Sequence, residues 1–446
     1  MLNLLAPPGI DPARILAEDD SGRVLRYGDL GGLGSEWRAR LPGRRLVLLA
    51  CANTVPHLAA YSGLRAAGHA VVLLPEAIAE ATLVDLIATY RAEALVCADE
   101  TGEVNLKVLR PAEGGLHPEL GVCLSTSGST GSPKLVRFSD DRLAANAHAI
   151  RDYLQIGSDD VAMAHLPFEY SFGLSVVHSH VAAGARLLLS KHSIMQKPFW
   201  QRLTQATSIA GVPFHFEMLL RMRLEGAVLP ELRVLTQAGG HLPTPLVAQV
   251  HDIAERRGWK FHVMYGQTEA GPRISWLPHD LVTRWPGCIG QAIPGVTILL
   301  EEGELVVESP SIMMGYALGR DDLARDDDMG GRLVTGDLAE LAGPGIFRIT
   351  GRKSRFLKIQ GNRVSLQGIE TRLLEVGHEV HCVGRDDLLV ICTTAPDPEA
   401  IRRAAVALFS FPTRSVNVKS IPDTPRRANG KIDYAALTRI ALEGPA

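Results

Sequence analysis

One alternation constrains this 446-residue chain more than anything else in it. Short apolar runs, "RLVLLA" (45–50), "AVVLL" (70–74), "ALVC" (94–97) and "GVCL" (121–124), are separated by segments such as "VPHLAAYSGLRAAG" and "ATLVDLIATYRAE", whose apolar residues recur at helical spacing. The runs suit strands buried on both faces, and the periodic segments suit helices that cover them. The pattern predicts an α/β chain built on mainly parallel sheets. It continues through "VAMAHLPF", "ARLLLS", "TSIAGVPF", "LRVLTQAGG" and "KFHVMYGQTE". It breaks at "TILLEEGELVVES", where two strand-like runs flank an acidic, glycine-containing turn; an antiparallel hairpin in a β-rich region is expected there. Glycines and basic residues interrupt the rhythm again at "FRITGRKSRFLKIQGNRV". The boundary is placed there, with residues 1–350 as a large N-terminal domain and 351–446 as a small α+β domain.

Length alone argues for more than one core. Hydrophobic residues make up 46% and charged residues 21%, an ordinary globular balance. The net charge of −3 is spread along the chain, so no nucleic-acid partner is expected. The start, "MLNLLAPPGIDPAR", lacks a basic region and breaks at Pro7-Pro8-Gly9, unlike a secretory signal. No apolar run approaches membrane-spanning length, so no membrane association is expected. The six cysteines form no CxxC pair, which suits reduced, buried thiols in a cytoplasmic protein.

The chemistry is concentrated in "LSTSGSTGSPK", Leu124–Lys134. Glycines let backbone N–H groups turn toward an anion, hydroxyls add donors, and Lys134 adds positive charge. The segment follows a strand and precedes "SDDRLAANAHAIRDYL", with Ser139 placed to cap a helix and Leu143, Ala147, Ile150 and Leu154 on one face. Ser132 and Pro133 separate Gly131 from Lys134, so the spacing is not that of a P-loop. Taken by itself, the segment is a phosphate loop or a flexible linker.

Its neighbours decide. "TSGSTGSPK" (126–134) resembles the phosphate loop of the adenylate-forming superfamily of acyl-CoA synthetases, peptide-synthetase adenylation domains and luciferases. Further motifs similar to that family's follow in order: "LRYGDL", "YSGLRAAGHAVVLLP", "LPFEYSFGL", "QAGGHL", "YGQTEA", "GELVVESPSIMMGY", "VTGD", "GRKSRFLKIQGNRV" and "PRRANGK". The resemblance spans nearly the whole chain. It implies ATP-dependent activation of a carboxylic acid to an acyl-adenylate with release of pyrophosphate, then transfer to a thiol. The leading acceptor is CoA. A carrier-protein phosphopantetheine or an amine is the alternative acceptor, and a nucleotide-binding relative with impaired catalysis is the further alternative.

The resemblance also implies roles. Thr126, Ser127, Gly128, Ser129, Thr130, Gly131 and Lys134 hold phosphates; Gly239, Gly240, Tyr265 and Gly266 flank the nucleotide; Thr268 meets the α-phosphate and Glu269 ligates Mg²⁺. Asp337 binds the ribose hydroxyls, with Arg352 nearby. Lys431 is the catalytic lysine of a mobile small domain, and Lys358 and Gly361 belong to the loop of the thiol step. Phe168, Tyr170, Phe214 and His215 line the acyl pocket, whereas Phe172 reads as core. The segment "EYSFG" lacks the Phe-Asp pair with which amino-acid-activating relatives hold an ammonium, so an apolar or aromatic monocarboxylic acid is the expected substrate. Ser354 and Gly368 depart from the family pattern in the hinge region and in "SLQGIE".

Overall fold

The apolar runs become strands where the alternation predicts them. In the computed structural model, which describes residues 1–99, 101–125, 134–353, 355–359, 362–409, 411–427, 430 and 432–443, they build two large sheets. A seven-stranded sheet is centred on Leu46–Cys51, Ala70–Pro75, Ala94–Ala98 and Leu120–Ser125, paired in parallel. A nine-stranded sheet has Arg186–Leu189, Val161–Ala164, Ser208–Gly211, Val234–Gln237 and Lys260–Gly266 as parallel neighbours in that order. The strand Leu46–Cys51 is buried at every residue, which is why its sequence runs apolar without alternation. Antiparallel strands close both sheets at their edges.

By its contacts the chain divides into two compact units. One holds Met1–Ile298 and Val307–Leu333, and the other holds Leu299–Val306 and Val334–Ala446. The expected hairpin appears as Thr297–Glu301 and Glu304–Glu308, adjacent strands of a four-stranded sheet. Glu302 and Gly303 both take positive φ, the conformation that a two-residue hairpin turn requires. In the second unit, His381–Arg385, Leu388–Thr393 and Val416–Ser420 form a three-stranded sheet. Leu389, Ile391 and Val416 share a core with Ile369 and Leu373 of the helix Leu366–Glu375 and with Ile401 and Ala405 of the helix Pro398–Phe409. Among the described residues no helix is long and apolar enough to cross a membrane.

The helix Asp140–Leu154 forms as expected. Ser139 caps it by accepting from the Arg142 N–H, and Leu143, Ala147 and Ile150 are buried. One element differs from expectation. The sequence leads directly from the Gly/Ser/Thr segment into that helix, but a strand, Leu135–Ser139, intervenes and pairs antiparallel with Leu120–Ser125. Arg137 hides it, because a charge in the middle of a five-residue run reads as solvent-facing. Here its side chain is 0% exposed, ion-paired with Asp328 at 2.8 Å and bonded to the carbonyls of Met314 and Asp326. A buried charge persists only when paired and hydrogen-bonded in this way.

Glu169 is a second enclosed charge, and it has another remedy. Its Oε2 atom is shut off from solvent without a hydrogen-bond partner. Burial raises its carboxyl from 4.5 to about 7, and the charge of Glu76 pushes in the same direction. The folded chain therefore binds this proton more tightly than the unfolded chain does. That contribution to stability is fully present below pH 4.5 and is lost as pH rises through about 7. Glu169→Gln should melt with the parent at acid pH and a few degrees above it at pH 8. Equal melting temperatures across the range in calorimetry would show that this carboxyl ionises without strain.

Candidate active site

The strand Lys260–Gly266 ends in a turn that admits only glycine. A Cβ on Gly266 would lie 1.8 Å from the carbonyl oxygen of Pro272. Thr268–Ala270 makes a single 3₁₀ turn, Gly271 takes φ +85°, and the chain returns antiparallel as Arg273–Leu277. Tyr265, Thr268 and Glu269 are thereby gathered at the carboxyl end of the last parallel strand. That edge is where open α/β sheets hold ligands.

The side chains around this turn are linked. Thr268 Oγ1 and Ser171 Oγ lie 2.9 Å apart, and Ser171 opens the helix Ser171–Ala182. Glu269 Oε1 accepts a 2.8 Å hydrogen bond from the Tyr316 hydroxyl. Burial, and then the neighbouring Glu269 carboxylate, push the Tyr316 phenol well above its usual range, so it remains a donor. The Tyr316 ring also faces the ammonium of Lys134, whose Nζ lies 3.7 Å from the ring centroid. Strand pairing explains the meeting: Tyr316 stands opposite Val136, two residues beyond Lys134. One tyrosine thus connects the lysine of the Gly/Ser/Thr segment to the glutamate of the turn. Sequence reasoning passed over Tyr316 and Ser171, although both lie inside quoted motifs, "GELVVESPSIMMGY" and "LPFEYSFGL".

The other expected residues fall into groups. Gln267 Nε2 donates to the Tyr265 hydroxyl at 3.3 Å. Gly239 takes φ +82°, and the Gly240 carbonyl accepts from Gln237 Nε2 at 2.9 Å. A Cβ on Gly240 would come 3.2 Å from Pro213, the first residue of the helix that carries Phe214 and His215. Burial lowers His215 to about 4, so it is neutral at physiological pH. Tyr170, Phe172 and Phe214 share one apolar cluster with Ala210, Val212 and Met264. Phe168 lies apart from that cluster, fully buried with its ring 6.2 Å from that of Tyr61. Its N–H donates to Asn53, whose amide also holds the carbonyls of Ala164 and Leu166.

In the second unit Asp337 is 2% exposed. It stands directly across the strand pair from Arg352, whose Nε donates to its Oδ1. Lys358 belongs to the strand Phe356–Ile359. Gly368 receives the Ser365 cap at the start of its helix, and a Cβ there would meet Ser365 only at ordinary contact distance. Glu370, the acid left in "SLQGIE", is engaged by Arg355, the Cys382 N–H and the Tyr434 hydroxyl. Thr126, Ser127, Gly128, Ser129, Thr130, Gly131, Ser354, Gly361 and Lys431 lie outside the described residues.

Comparison with known proteins points the same way as this geometry. A family model described as AMP-binding enzyme matches residues 119–317. The chain is 27% identical over 355 residues to the medium-chain fatty-acid–CoA ligase of Escherichia coli K12, covering 72% of this chain and 61% of that protein. It is 29% identical over 262 residues to a 2-succinylbenzoate–CoA ligase of Bacillus cereus, covering 56% and 53%. It is 28% identical over 342 residues to the isonitrile lipopeptide synthase of Mycobacterium tuberculosis, covering 71% and 14%. The matches thus span less than two thirds of each of these relatives. Among solved structures, ATP-bound MatB from Rhodopseudomonas palustris superposes with a TM-score of 0.81 at 21% identity, covering 100% of this chain and 99% of that one. O-succinylbenzoate CoA synthetase from Bacillus subtilis in complex with AMP gives 0.78 at 18% identity, with 97% and 96% covered. A family model described as AMP-binding enzyme thus covers residues 119–317, and the chain as a whole shares the fold of these solved structures.

Proposed function

We propose that this chain joins a carboxylic acid to the α-phosphate of ATP, releases pyrophosphate, and passes the acyl group to a thiol, with CoA as the leading acceptor. The observation that carries the proposal is the linked set Lys134–Tyr316–Glu269 beside the Thr268–Ser171 hydroxyl pair. Attack of a carboxylate oxygen on the α-phosphorus forms one O–P bond and breaks the bond to the pyrophosphate oxygen. Two anions must meet, so the site has to supply positive charge and fixed donors. Lys134 supplies charge at the phosphates. Thr268, oriented by Ser171, donates to an α-phosphate oxygen. Tyr265 offers its ring to adenine, and Asp337, with Arg352, takes the ribose hydroxyls.

Glu269 fits a Mg²⁺ ligand. Tyr316 fixes one of its carboxylate oxygens, and Oε2 accepts no hydrogen bond from a described residue. When bound, the ion supplies charge neutralisation at the phosphates. The two relatives named as CoA ligases support CoA as the acceptor. The relative named as a lipopeptide synthase keeps a carrier-protein phosphopantetheine as the second choice. Six free thiols accord with a cytoplasmic location.

The products discriminate this reading from phosphotransfer. Incubation with ATP and a panel of carboxylic acids should yield AMP and pyrophosphate; chromatography showing ADP as the main product would refute adenylation. Glu269→Gln keeps the shape and the Tyr316 contact but removes the anionic charge. Its demand for Mg²⁺ should rise at least tenfold, as roughly expected when support for a bound metal is lost. An unchanged Mg²⁺ titration would assign Glu269 to structure alone.

Lys431 is proposed to act in the first step only, and Lys358 and Gly361 in the second. Lys431→Ala should lower acid-dependent exchange of labelled pyrophosphate into ATP by roughly a hundredfold to a thousandfold. The same variant should convert a synthetic acyl-adenylate to thioester near the parent rate. Equal loss in both assays by a folded variant would show that Lys431 does not act in one step alone.

A further inference from the structure

Among the described residues four arginines are buried: Arg65, Arg137, Arg273 and Arg320. Three of them have a carboxylate at hand, Arg65 with Asp140 at 2.7 Å, Arg137 with Asp328 at 2.8 Å and Arg320 with Glu93 at 2.8 Å. Arg273 is 3% exposed and pairs with no described carboxylate. Its guanidinium lies 4.6 Å above the Phe172 ring and donates to Ser175 Oγ at 3.3 Å, while its Nε is enclosed without an acceptor. Burial lowers its pKa, while Tyr153, which also hydrogen-bonds it, and Tyr170 act in the opposite direction. A guanidinium cannot shed its proton, so a dry site without an anion leaves a standing cost.

This arginine is also fixed in place. Asn146 donates to its carbonyl at 3.0 Å and accepts from its N–H at 3.2 Å, which locks the backbone against the helix Asp140–Leu154. The side chain borders a cavity of about 40 Å³ that is walled by Ile150, Met163, Ala210 and Met264. Such a space has room for about three waters, or for a short polar group on an apolar stem. Asp160 lines the same cavity, but its carboxylate is taken up by Thr207, the Gly157 N–H and Arg233. One helix, Ser171–Ala182, runs from the proposed reaction centre to the wall of this cavity. Ser171, which holds Thr268, and Ser175, which holds Arg273, are four residues apart, or about 6 Å along the axis. Ser175 donates its own proton to the Phe172 carbonyl, so it presents lone pairs to the arginine.

We infer that Arg273 receives a second carboxylate on the substrate, which is a short dicarboxylic acid with one end activated beside Thr268 and the other seated in this cavity. The inference rests on the adenylation proposed above. The sequence leads to a monocarboxylic acid in a pocket of Phe168, Tyr170, Phe214 and His215; this inference departs from it by adding an anion at the far end of the stem and seating that end in the cavity beside Arg273. A carboxylate there satisfies the orphaned Nε and the charge together, and a methyl group at the same place leaves both unpaired.

Length-matched acids test this: butyrate against succinate, valerate against glutarate, and hexanoate against adipate, each followed by pyrophosphate exchange with the full chain. One or more of the diacids should exceed its monoacid partner in kcat/KM by a hundredfold or so, the order expected when a buried charge is left unpaired. Arg273→Leu should abolish that preference without changing the KM for ATP. Arg273→Lys, which keeps the charge but not the fork, should retain a weaker preference and guards against a leucine variant that does not fold. Monoacids favoured by the parent, or a diacid preference that survives in folded Arg273→Leu, would overturn the inference and leave adenylation standing. Exchange with no acid at all would overturn both.

Discussion

A side chain at Gly266 has nowhere to go, because the backbone of Pro272 fills its place. This contact makes the strand Lys260–Gly266 and its return, Arg273–Leu277, two arms of one tight turn. The residues between them are consequently held out at the sheet edge, where Thr268 reaches Ser171 and Glu269 reaches Tyr316. The first residue of the returning arm is Arg273, whose guanidinium lies over the Phe172 ring and bonds Ser175. The proposed activation chemistry and the inferred recognition of the acid therefore hang on the same reversal of the chain. A bulkier residue at position 266 would move both, which is why the turn governs the site more than any single functional group does.

Much of this was legible in the sequence. Strands such as Leu46–Cys51 are buried on both faces, and continuous apolar runs report that directly. Tyr265, Thr268 and Glu269 are close in sequence and remain close in space, so a short motif carries their geometry. Lys134 joins them from a distance, and only the resemblance across the whole chain pointed to that meeting. Tyr316, the residue that connects them, was within a quoted motif but without a role. Its position depends on which strand borders Leu135–Ser139, and pairing partners far apart in sequence leave no local periodicity to read.

Buried charge was the least legible property. The pairs Arg65–Asp140, Arg137–Asp328 and Arg320–Glu93 are separated by 75, 191 and 227 residues. Each arginine in isolation reads as surface, because most arginines are. Arg137 shows the consequence, since its charge concealed an entire strand. The same prior hid Arg273 inside "GPRISW", although the residue lies only four positions beyond Glu269.

Glu169 and Arg273 show how differently two enclosed charges can be accommodated. A carboxyl can take up a proton, and Glu169 does so near pH 7, which limits the cost of its burial to the loss of a negative charge. Arginine has no such escape at any pH the protein meets. Its cost can be offset only from outside the guanidinium, here by a ring face, a serine oxygen and two tyrosines. Those partners are neutral, whereas each of the other buried arginines has a formal counter-charge. Among the described residues the chain buries three other arginines and gives each a carboxylate. Leaving this one without a carboxylate beside a cavity is the observation behind the inferred second charge on the substrate: a cost in stability is kept where an acid would be recognised.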